Sequence, residues 1–343
     1  MKTIAVDAHS ANCAFAIFSS RGELGKCLDR PTSARNLIEV IESVSGPRQL
    51  IVEESHMAEW IKRTAERHVD RLIVCDPRRN HWIAKDEFND DTNSAIKLGK
   101  LLLGGFIKEI HHPETGGAEL RSLFLHYYDL NEQLTRFKNK LKAVFRSEAI
   151  ATAGKGIYDE EEHAGWLKQL KGLSHREHTA RHLFELVDEF ERLKRETFEA
   201  MTKRARKERA YSLLEEMPGA GPVVVTGYVA LLETPHRFSR RNKLWKYAGL
   251  GQVRHISDEG VYADHASSSG NRVLKWVVFT HFQGAVEQMK RPNRFRLKFQ
   301  ALRGRGLGYS TARRHVCRGL LSSAWAIWRK EEAYRDDPLS SSR

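Results

Sequence analysis

No apolar run in the 343-residue chain approaches the roughly 18 residues that a transmembrane helix needs, and the N-terminus lacks the basic flank and apolar core of a signal peptide. A cytoplasmic protein without a membrane partner is therefore expected. Cysteine is sparse as well. Cys13, Cys27, Cys75 and Cys317 are scattered without a CxxC pair, which argues against a zinc site and a disulfide framework, and for a reducing compartment. What the chain has in surplus is positive charge: 57 Lys and Arg stand against 44 Asp and Glu, giving +13 and a pI of about 9.6. Such a surplus is the electrostatic footprint of a polyanion partner, and nucleic acid is the default. The basic runs Lys203 to Arg209, Arg237 to Lys246 and Lys290 to Arg314 lie in the C-terminal part, whereas Asp159 to Glu162 is acidic. Each run alone reads as a solvated face; three together point to a DNA or RNA surface. At 41% hydrophobic the chain can bury a sizeable core, in two domains or one plus an extension.

Thr3-Ile4-Ala5-Val6-Asp7-Ala8-His9 is an apolar run ending in a carboxylate, and Cys13 to Phe18 is a second run after a small polar turn. The pair predicts a β-hairpin. A carboxylate at a central strand needs a cation or a basic partner. The pattern of apolar strand followed by acid returns at Gln49 to Glu54 and at Arg71 to Asp76, with helical spacing between. Alternating strands and helices imply a partly parallel sheet covered on both faces, whose ligand sites gather at the carboxyl ends of strands. Asp7, Glu53 and Asp76 stand at such ends. Next, Ala95, Leu98, Leu101 and Leu102 form a helical stripe with Asp90, Asp91 and Ser94 on its first turns. The helix dipole accounts for one acid there. It does not account for the company of Asp7 and Glu53.

Leu123, Leu130, Leu134, Phe137, Leu141 and Val144 recur at spacings of three, four or seven, as do Leu183, Leu186, Phe190, Leu193 and Ala200. Two long amphipathic helices with heptad-like seams are predicted, antiparallel, with a polar tip over residues 150 to 175. Pro218-Gly219-Ala220-Gly221-Pro222 then enters an apolar helix, a glycine turn whose Gly219 and Gly221 amides are candidates for a phosphate. Tyr247-Ala248-Gly249-Leu250, a polar loop holding Ser257, and Ser267-Ser268-Ser269-Gly270-Asn271-Arg272 follow. Arg240, Arg241, Lys243 and Arg272 are the basic residues nearest these motifs and are candidate nucleic-acid contacts. Trp276, Phe279, Phe282, Trp325 and Trp328 read as helix core rather than as base-stacking platforms.

In their order and spacing these pieces resemble the insertion sequence 110 family of transposases, a DEDD-type, RuvC-like group related to the Piv-type DNA invertases. The likeness runs from the Asp7 strand through Val52-Glu53, Asp76-Pro77-Arg78-Arg79, the Asp91 helix, the heptad region and the glycine hairpin to Gly270-Asn271-Arg272. It implies an α/β plus α architecture: a RuvC-like ribonuclease-H-type domain over 1–112, a coiled-coil helical arm over 113–212 and a mainly helical C-terminal transposase domain over 213–335. It implies four acids that bind divalent metal, of which Asp7, Glu53 and Asp91 are the first three. The fourth position is Ser94, a departure for which Asp90 or a water would have to substitute. It also implies a nucleophilic serine. Counting forward from Gly249-Leu250 and back from Gly270-Asn271 reaches Ser257 both times, although Asp258 follows it in place of glycine; Ser267, Ser268 and Ser269 are the alternatives.

The expected activity is DNA strand cleavage and rejoining in transposition. Mg²⁺ or Mn²⁺ would sit on Asp7, Glu53, Asp91 and Asp90, Ser257 would be the nucleophile, element-end and target DNA the substrates, a structured RNA the guide, and a dimer or tetramer the assembly. Oxygen ligands suit Mg²⁺, and a metal pair roughly 3.5–4 Å apart stabilises both oxygens of a phosphodiester displacement. Two other readings stand beside it. One is a Holliday-junction-type endonuclease that activates water and leaves Ser257 idle; the other is a nucleic-acid-binding protein whose acid set has decayed at Ser94.

Overall fold

The computed structural model describes residues 1–76, 90–111, 115–257, 260–266 and 270–336, with backbone alone at 115–116, 252–257 and 260–266. It divides into two compact units, Met1–Thr115 and Gly116–Arg343.

The first unit is built on strands β1 (Lys2–Ala8), β2 (Asn12–Phe18), β3 (Leu24–Pro31), β4 (Arg48–Glu53) and β5 (Arg71–Cys75), in the order β3-β2-β1-β4-β5. The predicted hairpin is present, with Val6 opposite Phe15 and Asp7 opposite Ala14. β1, β4 and β5 run parallel, joined by α1 (Ala34–Glu42) and α2 (Ala58–Ala65). Strand alternation sorts the side chains between two faces. Ile4, Val6, Phe15, Leu50 and Val52 pack with Leu37 and Ile41 of α1 and Ile61 of α2. Ala5, Ala14, Ala16, Ile51 and Ile73 pack with Ala95 and Leu98 of α3 (Asp91–Leu103).

The sheet is thus covered on both faces, as its apolar strands predict. α3 lies close on its face of the sheet, for two reasons that both lie in the sequence. Small alanines line the sheet below the helix, and Gly99 leaves no room for a Cβ, which would meet the Phe18 ring at 2.1 Å. Close packing sets the N-terminus of α3 over the end of β1.

The second unit opens with α4 (Thr115–Arg146) and α6 (Ser174–Ala205), linked through α5 (His163–Lys168). Partners along the pair run in opposite directions: Arg204 with Glu119, Lys194 with Asn131 at 2.6 Å, Phe190 with Phe137, Phe184 with Phe145, and Arg176 with Glu148. The predicted antiparallel pair is therefore found. Its seam differs on the second helix: Leu186 and Ala200 face solvent, and Ala180, Phe184, Val187 and Met201 are buried in their place. Leu183 and Phe190 keep to the predicted seam, the latter against Phe137, while Leu186 and Ala200 fall off it. The connection over 150–175 is also more than a polar tip. Ile157 and Leu170 are fully buried in it and close the end of the helical pair.

The remainder comprises α7 (Arg209–Leu214), α8 (Pro222–Leu232), α9 (Arg241–Tyr247), strands β6 (Gln252–Ser257) and β7 (Gly260–Ala266), α10 (Arg272–Phe282), α11 (Arg294–Gly304) and α12 (Tyr309–Lys330). α8 is buried on nearly every side, and Phe282 is buried with it. Trp276, Phe279, Trp325 and Trp328 pack against this core, as their helical spacing suggests. Among the described residues no helix is long and apolar enough to cross a membrane.

Candidate metal centre and serine hairpin

Asp7 is the last but one residue of β1, and strand parity turns it to the same face as Ala5, beneath α3. Asp91 opens α3. The two carboxylates meet there together with His9, their ligand atoms all within 4.8 Å of one another. His9 Nε2 lies 3.5 Å from Asp7 and 3.4 Å from Asp91. His9 and Asp91 are exposed, whereas Asp7 is largely covered. Burial, opposed in part by His9 and reinforced by Asp91, pushes the Asp7 carboxyl above its ordinary range. The Ser94 hydroxyl lies one helical turn after Asp91 and hydrogen-bonds the Asp7 carboxylate. The residue at the place of the expected fourth acid therefore faces the site.

Glu53 ends β4, the strand beside β1, and shares the α3 face with Ile51. It stands one residue beyond the Val6 and Val52 pair but outside the close group of Asp7, His9 and Asp91. Asp90 serves the helix: its carboxylate accepts from the Asn93 backbone amide at 2.6 Å and from Asn93 Nδ2 at 3.1 Å, an N-cap that satisfies an orphan donor of the first turn. No sequence motif singles out His9 as a site residue. Its only signal is its place two positions past Asp7, where the chain leaves the strand.

Ser257 occupies a different setting from the polar loop expected of it. β6 and β7 form an antiparallel hairpin, with Ser257 paired to Gly260 at its far end. The reason is local: Val253 and Ile256 in the first strand and Val261 and Tyr262 in the second are strand-forming residues. Ser267, Ser268 and Ser269 lie outside the described residues, as do Arg78 and Arg79.

The motifs that flank the hairpin meet at its base. Gly249 and Gly270 both adopt positive φ, and a Cβ on Gly270 would sit 2.4 Å from the Gly249 nitrogen, so only glycine permits the approach. The Asn271 amide donates to the Tyr247 carbonyl at 2.7 Å, its Nδ2 donates to the Tyr247 hydroxyl at 3.1 Å, and its Oδ1 caps α10. The two motifs bound the two arms of one hairpin, which is why their spacings converge on Ser257.

Tyr247 also receives a hydrogen bond from Arg121, which is paired with the buried Glu233 at 2.9 Å. Arg237 stands 3.6 Å from that same carboxylate and 4.4 Å over the Tyr247 ring. No pattern in the sequence identifies Arg121 or Glu233 as part of this clamp, because α4 and α8 contribute them from afar.

The glycine turn before α8 is used internally. Ala220 and Gly221 donate to Met217 and Gly219 carbonyls, and a Cβ on Gly219 would lie 2.2 Å from the Ala285 nitrogen. Close backbone packing accounts for Gly219, and Gly221 is the N-cap before Pro222. Arg240, Arg241, Lys243 and Arg272 are exposed on the same unit. Charge divides sharply between the units: residues 1–115 hold 16 Lys and Arg against 17 Asp and Glu, and residues 116–343 hold 41 against 27.

A protein of Streptomyces clavuligerus, described as "Insertion element IS116 uncharacterized 44.8 kDa protein", is 28% identical over 156 residues, covering 46% of this chain and 37% of that protein. The chain thus matches little more than a third of that relative's length. Residues 211–300, which hold the glycine turn, the serine hairpin and the clamp residues other than Arg121, match the family described as "Transposase IS116/IS110/IS902 family". The chain carries, over those residues, a transposase domain of the IS116/IS110/IS902 family.

Proposed function

We propose that this protein is a DNA transposase or recombinase in which Asp7, Glu53 and Asp91 hold Mg²⁺ or Mn²⁺ and Ser257 attacks the DNA backbone. The observation that carries the reading is the meeting of Asp7 and Asp91 at the carboxyl end of a central strand, in a chain that also carries a transposase domain. The strand order β3-β2-β1-β4-β5, an antiparallel meander extended by parallel strands, supports a ribonuclease-H-type first unit.

The donor set fits a hard divalent cation. Two carboxylates share one site, and burial, reinforced by the neighbouring Asp91, disfavours the ionised form of Asp7. Bound there, such an ion supplies stabilisation of the charge that builds on the attacking and leaving oxygens of a phosphodiester. Ser94 orients Asp7 through its hydroxyl. Asp90, engaged as a helix cap, is not required in the set. Ser257 forms a serine–phosphate ester as the leaving oxygen departs, which conserves the bond for rejoining. A serine hydroxyl needs activation for this, and the clamp at Tyr247, Asn271 and Arg121 steadies the hairpin that bears it. A structured RNA guide, a homo-oligomeric assembly and a cytoplasmic, nucleoid-associated setting belong to the same proposal; the basic second unit is compatible with both nucleic acids.

The test is denaturing electrophoresis of wild type, Ser257→Ala and Asp7→Ala after incubation with Mg²⁺, labelled element-end DNA and the candidate RNA. A covalent band lost in Ser257→Ala, with cleavage lost in Asp7→Ala, is expected. Full cleavage by Asp7→Ala sinks the metal role, and cleavage without a covalent band moves the assignment to a junction-type endonuclease. Binding without any cleavage favours a decayed binding protein, the reading that Ser94 in the acid's place supports.

A further inference from the structure

A cavity of about 510 Å³ opens between α9, α11 and α12 of the second unit. Arg241, Arg294, Lys298, His315 and Arg318 line it, and no carboxylate does so among the described residues. Such a concentration of like charge is unfavourable on its own, and an anion relieves it. The field is felt by His315. Burial together with Arg318, Lys298 and Arg314 holds its imidazole below the usual range.

The lining is built rather than loosely solvated. Arg318 is buried, at 9% exposure, and its Nε donates to the Leu250 carbonyl at 2.7 Å. Trp245 donates to Ser322 Oγ at 2.9 Å, and its ring lies 5.4 Å from the Arg318 guanidinium and 5.8 Å from that of Arg241. Arg294 donates to Ser323 Oγ at 2.7 Å. Hydrogen bonds thus hold the Arg318 and Arg294 side chains in place at the cavity, and a guanidinium's planar donors suit phosphate oxygens. The volume lies within the range of ligand pockets. Its position is equally specific: Leu250, which Arg318 holds, stands two residues before β6, the strand that ends at Ser257.

We propose that this cavity seats a backbone phosphodiester of the DNA strand, at the base of the serine hairpin. The assignment rests on the transposase reading above and adds to it a place where substrate is held. Arg241 and Lys298 reach the phosphate from the cavity's rim, while Arg318 ties the cavity to the hairpin.

The test uses the full-length protein without divalent metal and a fluorescein-labelled element-end duplex, with anisotropy read across a salt series. Arg241→Gln with Lys298→Gln is compared with an equal charge loss at the tip of the helical pair, Lys168→Gln with Lys171→Gln. The cavity variant is expected to bind at least about tenfold more weakly, with the slope of log affinity against log salt reduced by roughly 1 to 2. The tip variant should stay within about twofold of wild type, since the charges it removes make no assigned contact. Arg241→Lys with Lys298→Arg, which keeps the charge, should retain the wild-type slope and guards against misfolding as the cause. Wild-type affinity and slope in the Gln variant would overturn the cavity assignment and leave the transposase reading standing. Failure of the wild type to bind DNA would overturn both, and a loss confined to a labelled RNA hairpin would overturn the choice of DNA.

Discussion

At the residue scale, Ser94 decides how the acidic site is read. Its hydroxyl satisfies Asp7 by a hydrogen bond, yet a hydroxyl offers a cation a neutral donor where a carboxylate would offer charge. Ser94→Asp therefore has a defined consequence. A further carboxylate beside Asp7 and Asp91 strengthens the field on a divalent ion and raises repulsion in its absence. Mn²⁺ affinity, measured by titration calorimetry, is expected to tighten by on the order of tenfold, while thermal stability in chelator falls. If affinity and stability both stay at wild-type values, position 94 does not face the ion and the ligand set must be redrawn. Sequence alone located this question without resolving it. The apolar strand that ends in Asp7 and the helix that begins at Asp91 are both legible from periodicity. Their meeting depends on Gly99 under the Phe18 ring and on the alanines below α3, features of packing that no spacing rule encodes.

At the element scale, the strands and helices of the first unit follow from alternation and from 3.6-residue periodicity, because each element is apolar toward one or both neighbours. The hairpin that carries Ser257 was harder to read. Its residues are polar enough to pass for a loop, and what holds it is remote: Asn271 on Tyr247, and Arg121 from α4. Leu186 shows a related limit, since a leucine at heptad spacing faces solvent when the seam passes through Phe184 and Val187 instead.

The turn before α8 is held in a similar way, by the buried His281. Its Nε2 bonds the Pro218 carbonyl at 3.0 Å and its Nδ1 bonds the Tyr228 hydroxyl at 2.9 Å. Burial lowers its pKa to about 4, so the ring is neutral at pH 7, donating to Pro218 and accepting from Tyr228. The folded value lies below the unfolded one of 6.5. The stabilisation is therefore complete above pH 6.5 and is lost as pH falls from there toward 4, at roughly 1.4 kcal/mol per unit. Urea unfolding of wild type and His281→Asn at a series of pH values should differ by that slope between the two limits. Parallel curves would mean that His281 titrates alike in both states.

At the scale of the whole molecule, the acids and the surplus positive charge belong to different units. Residues 1–115 are nearly balanced, at 16 basic against 17 acidic, and residues 116–343 carry 41 against 27. Asp7, Glu53 and Asp91 fall in the first unit, and the basic cavity and Ser257 in the second. If phosphate contacts supply most of the affinity, capture of DNA draws on the second unit and does not require the metal. Chemistry draws on the first and does. Chelation should therefore separate the two: in EDTA, strand cleavage and the covalent adduct disappear, while duplex affinity at constant ionic strength stays within about threefold of its Mg²⁺ value, since the counterion-release term is unchanged. Raising monovalent salt should do the reverse, weakening capture steeply. A loss of DNA binding in EDTA equal to the loss of cleavage would place the metal in DNA capture itself, and would end the division of labour that the charge map implies.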